Sequence, residues 1–216
     1  MPEPELLHLN LPLSEADVVA LHAGESLLLS GVLLTGRDAA HKWLVETFIK
    51  GKGSAAREDL VTHDRISEIL KDGAIYHCGP VVNKEANGVY RFVAAGPTTS
   101  IREEPYQAEV IRHFGLRAVI GKGGMGERTL QALSEQKAVY LHATGGAAAL
   151  MAACVKEVLG VHKLDFGTPE AMWVIRVKDL PVVVSMDAHG NSLHEKIRAQ
   201  SRRIYEELMG APGATC

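Results

Sequence analysis

Two glycine-rich loops carry the residues best suited to hold a small anion with oxygen functions. The first, Ala95-Gly-Pro-Thr-Thr-Ser-Ile-Arg102, joins the paired hydroxyls of Thr98 and Thr99 to the cation of Arg102. The second, Val119-Ile-Gly-Lys-Gly-Gly-Met-Gly126, sets Lys122 among four glycines. Each loop precedes a helical pattern, and backbone N–H groups at a helix N-terminus beside a cation favour a carboxylate or a phosphate. A third group, Arg37 and Asp38 with His41, falls where an apolar run gives way to helical periodicity.

Each feature also has a local explanation. One hydroxyl of Thr98-Thr99-Ser100 is suited to cap the following helix. Arg102 has Glu103, Glu104 and Glu109 within reach as surface ion-pair partners, a kind of pair worth little. Arg37 and Asp38 read equally as a local capping pair, and His41 as a satisfied histidine on a half-buried helix face. The case for a site is the convergence of the three groups. Gly121 to Gly126 also satisfies G-x-G-x-x-G, the dinucleotide fingerprint, but that unit needs an acidic residue about 20 residues on. Here that region reads His142-Ala-Thr-Gly-Gly-Ala147, without a carboxylate. A phosphate loop ending in Gly-Lys-Ser/Thr is absent from the sequence.

The elements that must position these loops are legible from periodicity. Glu5 to Leu13 alternates as a strand, and Ser14 with Asp17 forms a capping-box signature for a short helix. Ser26 to Thr35 is apolar nearly throughout, as a strand buried on both faces should be, and a helical pattern follows through Ala40, Leu44 and Phe48. Lys50 to Arg57 reads as a loop and the stretch to Leu70 as helical, with a flexible excursion expected over about 50–67. Next come a strand from Ala74 to Cys78, a polar hairpin around Lys84 to Gly88, and its partner strand Val89 to Ala95. Helix Glu104–Phe114, strand Arg117–Ile120, helix Glu127–Gln136, strand Ala138–His142 and an Ala-rich helix from about Gly146 to Leu159 continue the chain. Two strands, Ala171–Val177 and Val182–Asp187, meet at Lys178-Asp179-Leu180-Pro181, and an amphipathic helix from Ser192 to Met209 closes it. Strands interleaved with helices make the class α/β.

Composition narrows the partners. A chain of 216 residues is expected to fold as a single domain over 1–216, and a formal charge of -3 offers no basic field for nucleic acid or a membrane surface. No apolar run approaches the ~18 residues that span a bilayer, and the acidic start lacks the regions of a signal peptide, so a cytoplasmic location is expected. Cys78, Cys154 and Cys216 are too scattered for a disulfide framework, a zinc site or cluster ligation.

Six motifs in order carry a resemblance. Thr35-Gly-Arg-Asp-Ala-Ala-His-Lys42, Ile75-Tyr-His-Cys-Gly-Pro80, Gly96-Pro-Thr-Thr-Ser-Ile-Arg102, Gly121-Lys-Gly-Gly-Met-Gly126, Gly145-Gly-Ala-Ala-Ala-Leu150 and Val184-Ser-Met-Asp-Ala-His-Gly-Asn191 span most of the chain. The sequence resembles the beta subunits, or C-terminal domains, of the iron–sulfur-dependent class I fumarate hydratases and L(+)-tartrate dehydratases. The resemblance implies a three-layer swivelling β/β/α domain with mixed sheets. It implies a hydro-lyase beta subunit, inactive alone, whose separate alpha subunit carries a 4Fe-4S cluster in a hetero-oligomer with two copies of each subunit. It implies Thr98 as the catalytic base and Arg37, Thr98, Thr99, Arg102 and Lys122 as substrate-binding residues, with Asp38 and His41 supporting Arg37 and no metal bound by this chain. Fumarate and malate are favoured as substrates by the wording of the motifs. L(+)-tartrate, a methyl-substituted fumarate, and a stand-alone anion- or nucleotide-binding module are the alternatives.

Overall fold

In a computed structural model the chain is described for residues 6–51 and 55–210. Strands β1 (Leu7–Asn10), β2 (Ser26–Thr35), β3 (Ala74–Tyr76), β6 (Ala118–Gly121) and β7 (Val139–His142) run parallel to one another in that spatial order. The long strand β9 (Met172–Met186) is antiparallel to β2 along one edge, and along the other to β8 (Val155–His162) and then β7. The pairings β2–β3–β6–β7–β9–β2 thus close a circuit. A separate hairpin is formed by β4 (Val81–Lys84) and β5 (Tyr90–Ala94). The architecture is mixed α/β, as its sequence periodicity indicates.

Why β2 is apolar on both faces is plain from its neighbours. Leu27, Leu29 and Leu33 pack with Tyr76, Ile120, Leu141 and Trp173 in a core shared with Phe92 of the hairpin and with Met151 of α6 (Ala148–Cys154). Leu34 points the other way, into a second core with Ile75, Val119 and Tyr140. That core is covered by α2 (Asp38–Leu44), α3 (Arg57–Leu70), α4 (Glu104–Phe114) and α5 (Glu127–Gln136). Alternation along each parallel strand sends side chains to opposite faces, so both cores form from the same four strands. Burying a leucine contributes about 1.5–3 kcal/mol, and the three β2 leucines of the first core are each at most 1% exposed.

The short helix α1 (Glu15–Val19) carries the expected capping box, with Ser14 and Asp17 bonded reciprocally. Several other expectations are corrected. The Ala-rich helix stops at Cys154 instead of reaching Leu159, because the following segment pairs with β9 and turns Val155, Val158 and Val161 toward the first core. The two expected strands near the C-terminus are one strand, β9. Asp179 adopts φ 52 where the β2–β9 register shifts, and the stretch around Pro181 has neither β7 nor β8 on its second edge, where a proline is tolerated. The partner of β5 is β4, not the strand Ala74–Cys78, which belongs to the main sheet. The helix expected from Arg57 to Leu70 forms as α3, anchored by buried Ile66 and Leu70, inside the excursion expected over 50–67, of which residues 52–54, like Glu5, lie outside the described residues. The closing helix α7 (Leu193–Gly210) forms as expected but buries none of its residues.

Candidate functional site

The four parallel strands β2, β3, β6 and β7 end at one edge of the sheet, and the chain leaves each of them through a loop named in the sequence motifs. In closed as in open parallel α/β sheets, the carboxyl ends of the strands are where ligands bind. Arg37 follows β2, His77 to Pro80 follow β3, Lys122 follows β6, and His142 to Gly146 lie at the end of β7. The Thr98–Thr99 loop is stitched into the same edge. Thr98 N–H donates to the His77 carbonyl at 2.7 Å, Lys122 N–H to the Thr98 carbonyl at 3.3 Å, and Ser100 N–H to the Lys122 carbonyl at 3.0 Å. Thr99 and Lys122 therefore pair as an isolated parallel bridge. The two loops that sequence alone marks out, 22 and more residues apart, are hydrogen-bonded neighbours.

Their functional groups remain available. Neither the Thr98 nor the Thr99 hydroxyl makes a hydrogen bond among the described residues, and Thr99, the N-cap of the 3-10 turn Ser100–Glu103, does not use its side chain to cap it. Lys122 is half-buried and forms no ion pair among the described residues. Arg37 lies across Gly79, where a Cβ would come within 2.8 Å of its Cδ. Its Nη1 is 3.3 Å from Glu170 Oε1, and its Nε is buried without a partner. Glu170 also accepts from Ala39 N–H at 3.2 Å, tying the guanidinium to the first turn of α2.

Asp38 departs from the supporting role expected for it. Its Oδ2 accepts from Arg102 Nη2 at 2.7 Å, so it serves Arg102 across 64 positions rather than its neighbour Arg37. Arg102 correspondingly does not pair with the adjacent glutamates. His41 is fully buried and takes no part in an open site. Its Nδ1 lies 2.9 Å from the Arg37 carbonyl, so it orients the backbone of Arg37 and not its guanidinium.

His41 belongs to a buried relay that joins the loops from beneath. Its Nε2 lies 2.9 Å from the Gln107 amide terminus, which is 2.8 Å from His77 Nε2; His77 Nδ1 is 2.8 Å from Ser100 Oγ, and Tyr140 OH donates to the same Oγ at 2.9 Å. Burial holds both imidazoles neutral, with His77 pushed down to about 3 and His41 lowered. A carbonyl accepts only, so His41 carries its proton on Nδ1 and presents a lone pair at Nε2. Gln107 must then turn its NH2, not its oxygen, toward both imidazoles, and His77 must donate from Nδ1 to Ser100. Gly121 leaves the room for this relay: a Cβ there would clash with Ser100 Oγ and sit 3.0 Å from Tyr140 OH.

The anion that sequence places at the N-terminus of α5 turns out to be the protein's own. Glu104 accepts from Gly126 N–H at 2.8 Å, from Thr129 N–H at 3.3 Å and from Thr129 Oγ1 at 2.7 Å. With that helix end filled, the G-x-G-x-x-G loop has no N-terminus to offer a pyrophosphate, and the dinucleotide reading loses its structural basis. What the loop contributes outward is the Lys122 side chain.

Two histidines that sequence reading passed over stand beside it. His142 is in register with Gly121, and His194 of α7 lies against the Gly124 backbone, where a Cβ would fall 2.9 Å from its Nε2. Their rings are 5.9 Å apart, His142 Nδ1 and His194 Nε2 are buried without partners, and burial lowers both pKa values. The described residues offer no donor set for an iron–sulfur cluster. Cys78 is buried in the core with its thiol pushed up to about 12, and burial also raises the thiol of Cys154, whereas cluster ligation needs thiolates.

Comparison with known proteins decides the lineage, because the family model described as the fumarase C-terminus matches residues 3–197. The chain belongs to the fumarase C-terminus family. It is 49% identical over 199 residues to a Geobacillus stearothermophilus protein assigned as a class I fumarate hydratase, covering 92% of this chain but 35% of that protein. It is 36% identical over 205 residues to the L(+)-tartrate dehydratase beta subunit of Escherichia coli K12, covering 93% of this chain and 94% of the subunit. A Methanocaldococcus jannaschii protein assigned as a tartrate dehydratase beta subunit is also 36% identical, over 198 residues, covering 91% of this chain and 93% of that protein. The chain thus spans about a third of one relative and nearly the whole of the others. Five of the six ordered motifs are loops that meet at the carboxyl edge; the sixth, Val184–Asn191, turns at the opposite edge, where Asp187 accepts from Ala23 N–H just before β2.

Proposed function

We propose that this chain is the beta subunit of a hydro-lyase that interconverts a hydroxy-dicarboxylate and its dehydrated product, with fumarate and malate as the substrate pair. The observation that carries the reading is the meeting of Arg37, Arg102 and Lys122 at one edge with the unengaged hydroxyls of Thr98 and Thr99. A dicarboxylate brings two negative charges. Arginine clamps one carboxylate bidentately, and lysine neutralises the other as a point charge. Thr98, with its backbone fixed on both sides and its hydroxyl free, is the candidate to take the proton next to the bond that breaks. An alkoxide is a poor match to neutral pH unless cations surround it, and Arg37, Arg102 and Lys122 supply that surround.

The reading places the 4Fe-4S cluster of this iron–sulfur family on an alpha subunit, in a hetero-oligomer, and the enzyme in the cytoplasm. Near-complete coverage of the tartrate beta subunits supports a separate subunit of this length. The 49% identity to the Geobacillus protein, against 36% to the tartrate subunits, supports fumarate. No helix of the described residues is long and apolar enough to cross a membrane.

The test is an anaerobic assay of the chain with its alpha partner on fumarate, malate and tartrate in parallel, together with the chain alone. Turnover of fumarate and malate only by the pair is expected. Turnover of tartrate alone moves the chain to the tartrate branch, and binding of a nucleotide by the chain without hydro-lyase activity in the pair refutes the enzyme reading.

A further inference from the structure

Beneath Arg102 the structure leaves three buried oxygens without a hydrogen-bond partner. Two belong to Glu103, which is 0% exposed, and the third is Asp38 Oδ1. The other Asp38 oxygen is the one that holds Arg102 Nη2 at 2.7 Å. Two ionised carboxylates in contact, with three oxygens removed from water and one exposed guanidinium bonded, among the described residues, to Asp38 alone, is an unstable arrangement; like charges sharing a site force one group to keep its proton. A single proton resolves it. An O–H on Glu103 donated to Asp38 pairs two of the three orphan oxygens, and it belongs on Glu103 because Arg102 stabilises the charge on Asp38.

We infer that Glu103 is a positioning residue: as a neutral acid it hydrogen-bonds Asp38 and thereby fixes the carboxylate that holds Arg102 at the mouth of the site. The titratable groups facing it are Asp38 on α2, Arg102 on its own turn and Tyr140 on β7. Burial, then the contact with Asp38 and its charge, push the Glu103 carboxyl up to about 8, against the opposing pull of its own backbone N–H and of Arg102. When Glu103 ionises, Arg102 must answer two carboxylates from within the protein. Its hold on a substrate carboxylate weakens.

The inference rests on the reading of Arg102 as a substrate cation, and the experiment separates the two. The full chain is prepared with 13C-labelled glutamate and 15N-labelled arginine side chains and titrated from pH 5 to pH 10 by NMR. One glutamate carboxyl is expected to titrate near pH 8, with an arginine guanidinium resonance, assigned by Arg102→Lys, moving at the same midpoint. Glu103→Gln, whose amide replaces the O–H donor, should abolish the titration and leave that resonance at its low-pH position. Asp38→Asn should lower the midpoint by removing the like charge. The proposal is overturned if every glutamate carboxyl titrates below about pH 6, if the midpoint near 8 survives in Glu103→Gln, or if the Arg102 resonance does not follow it. In the assembled enzyme, if only the protonated form leaves Arg102 free for substrate, KM for the dicarboxylate rises about fivefold between pH 8 and pH 9, and Glu103→Gln removes that rise. A KM that ignores pH while the NMR titration is present overturns the substrate role of Arg102 and leaves the Glu103 assignment standing.

Discussion

Glu104 provides a direct test of how the Lys122 loop is held. Its carboxylate receives two short bonds, 2.8 Å from Gly126 N–H and 2.7 Å from Thr129 Oγ1, and a longer one of 3.3 Å from Thr129 N–H. Hydrogen bonds to charged groups are worth about 1.5–3 kcal/mol each in net terms, and a negative charge at a helix N-terminus adds about 0.3–1 kcal/mol. Gly126 is half-buried and regains water when Glu104 is truncated, whereas Thr129 is fully buried and does not. Glu104→Ala is therefore expected to cost about 3 kcal/mol, which for a chain of this size lowers Tm by roughly 6–12 °C. Glu104→Gln keeps one acceptor oxygen but sets an NH2 against the remaining donors, so it falls between parent and alanine. Glu127→Ala is the control, because Glu127 is exposed in the first turn of the same helix and bonds none of these donors. Thermal and urea denaturation of the three variants measures the order. Equal losses from Glu104→Ala and Glu127→Ala would mean that only the helix dipole is at work, and the account of the filled N-terminus would be wrong. Sulfate gives a second readout: it should raise the Tm of Glu104→Ala more than that of the parent, by occupying the vacated donors.

Other outcomes follow from the same geometry. Thr98→Val in the assembled enzyme should lower kcat by about 10²–10⁴-fold with little change in KM, since general-base catalysis acts in the transition state; a kcat near that of the parent rules out Thr98 as the base. Arg102→Lys keeps the charge but loses the fork that meets both Asp38 and a substrate carboxylate, so KM should rise as kcat falls; an unchanged KM for the dicarboxylate would place Arg102 outside the clamp. His41 and His77 have folded pKa values below their unfolded ones, so the stability they contribute is present at neutral pH and is lost as pH falls from about 6.5 toward 3; 15N NMR at pH 6 should find both rings neutral with the proton on Nδ1, and protonation of either ring near pH 6.5 contradicts the relay. For Glu103 the sign is reversed, because the folded carboxyl keeps a proton that the unfolded chain releases near 4.5. Parent stability relative to Glu103→Gln should fall as pH rises from about 4.5 to 8, and urea midpoints across that window check it.

The elements that were legible in the sequence are those whose pattern is local. The nearly continuous apolar run of β2 and the limits of α4 and α5 follow from periodicity and from caps within a few residues. The misjudged boundaries have non-local causes. Nothing around Cys154 says that Val155 to His162 will find β9 as a partner, and alanine-rich composition favours carrying the helix on. The site was legible as residue types but not as pairings. Arg37, Thr98, Arg102 and Lys122 stand out by motif, yet Asp38 serving Arg102 and Glu170 serving Arg37 depend on contacts across 64 and 133 positions. Glu103 read only as a surface ion-pair partner of Arg102 and Gln107 carried no signal, since on a surface-like helix sequence both read as solvated polar residues. Their burial comes from α4 packing on the sheet directly under the Thr98 loop.

The same pairings explain how an edge rich in cations coexists with a stable fold. Had Arg37, Arg102 and Lys122 all been unpaired, their mutual repulsion would fall on loops that contribute little to the core. The structure instead assigns Glu170 to Arg37 and Asp38 to Arg102, and leaves Lys122 as a cation without an internal partner among the described residues. Each arginine has five N–H donors and gives up only one or two of them to its carboxylate, so the fork keeps donors for a second anion. Lysine has a single compact charge and would lose more by sharing it. That division fits a substrate with two carboxylates, one met by pre-oriented guanidinium donors and the other by a lysine with no prior engagement. It also predicts that Asp38→Asn, which loosens the carboxylate that orients Arg102, and Lys122→Met, which removes the unengaged cation, both raise KM for the dicarboxylate in the assembled enzyme; an unchanged KM in either variant would remove that residue from the account.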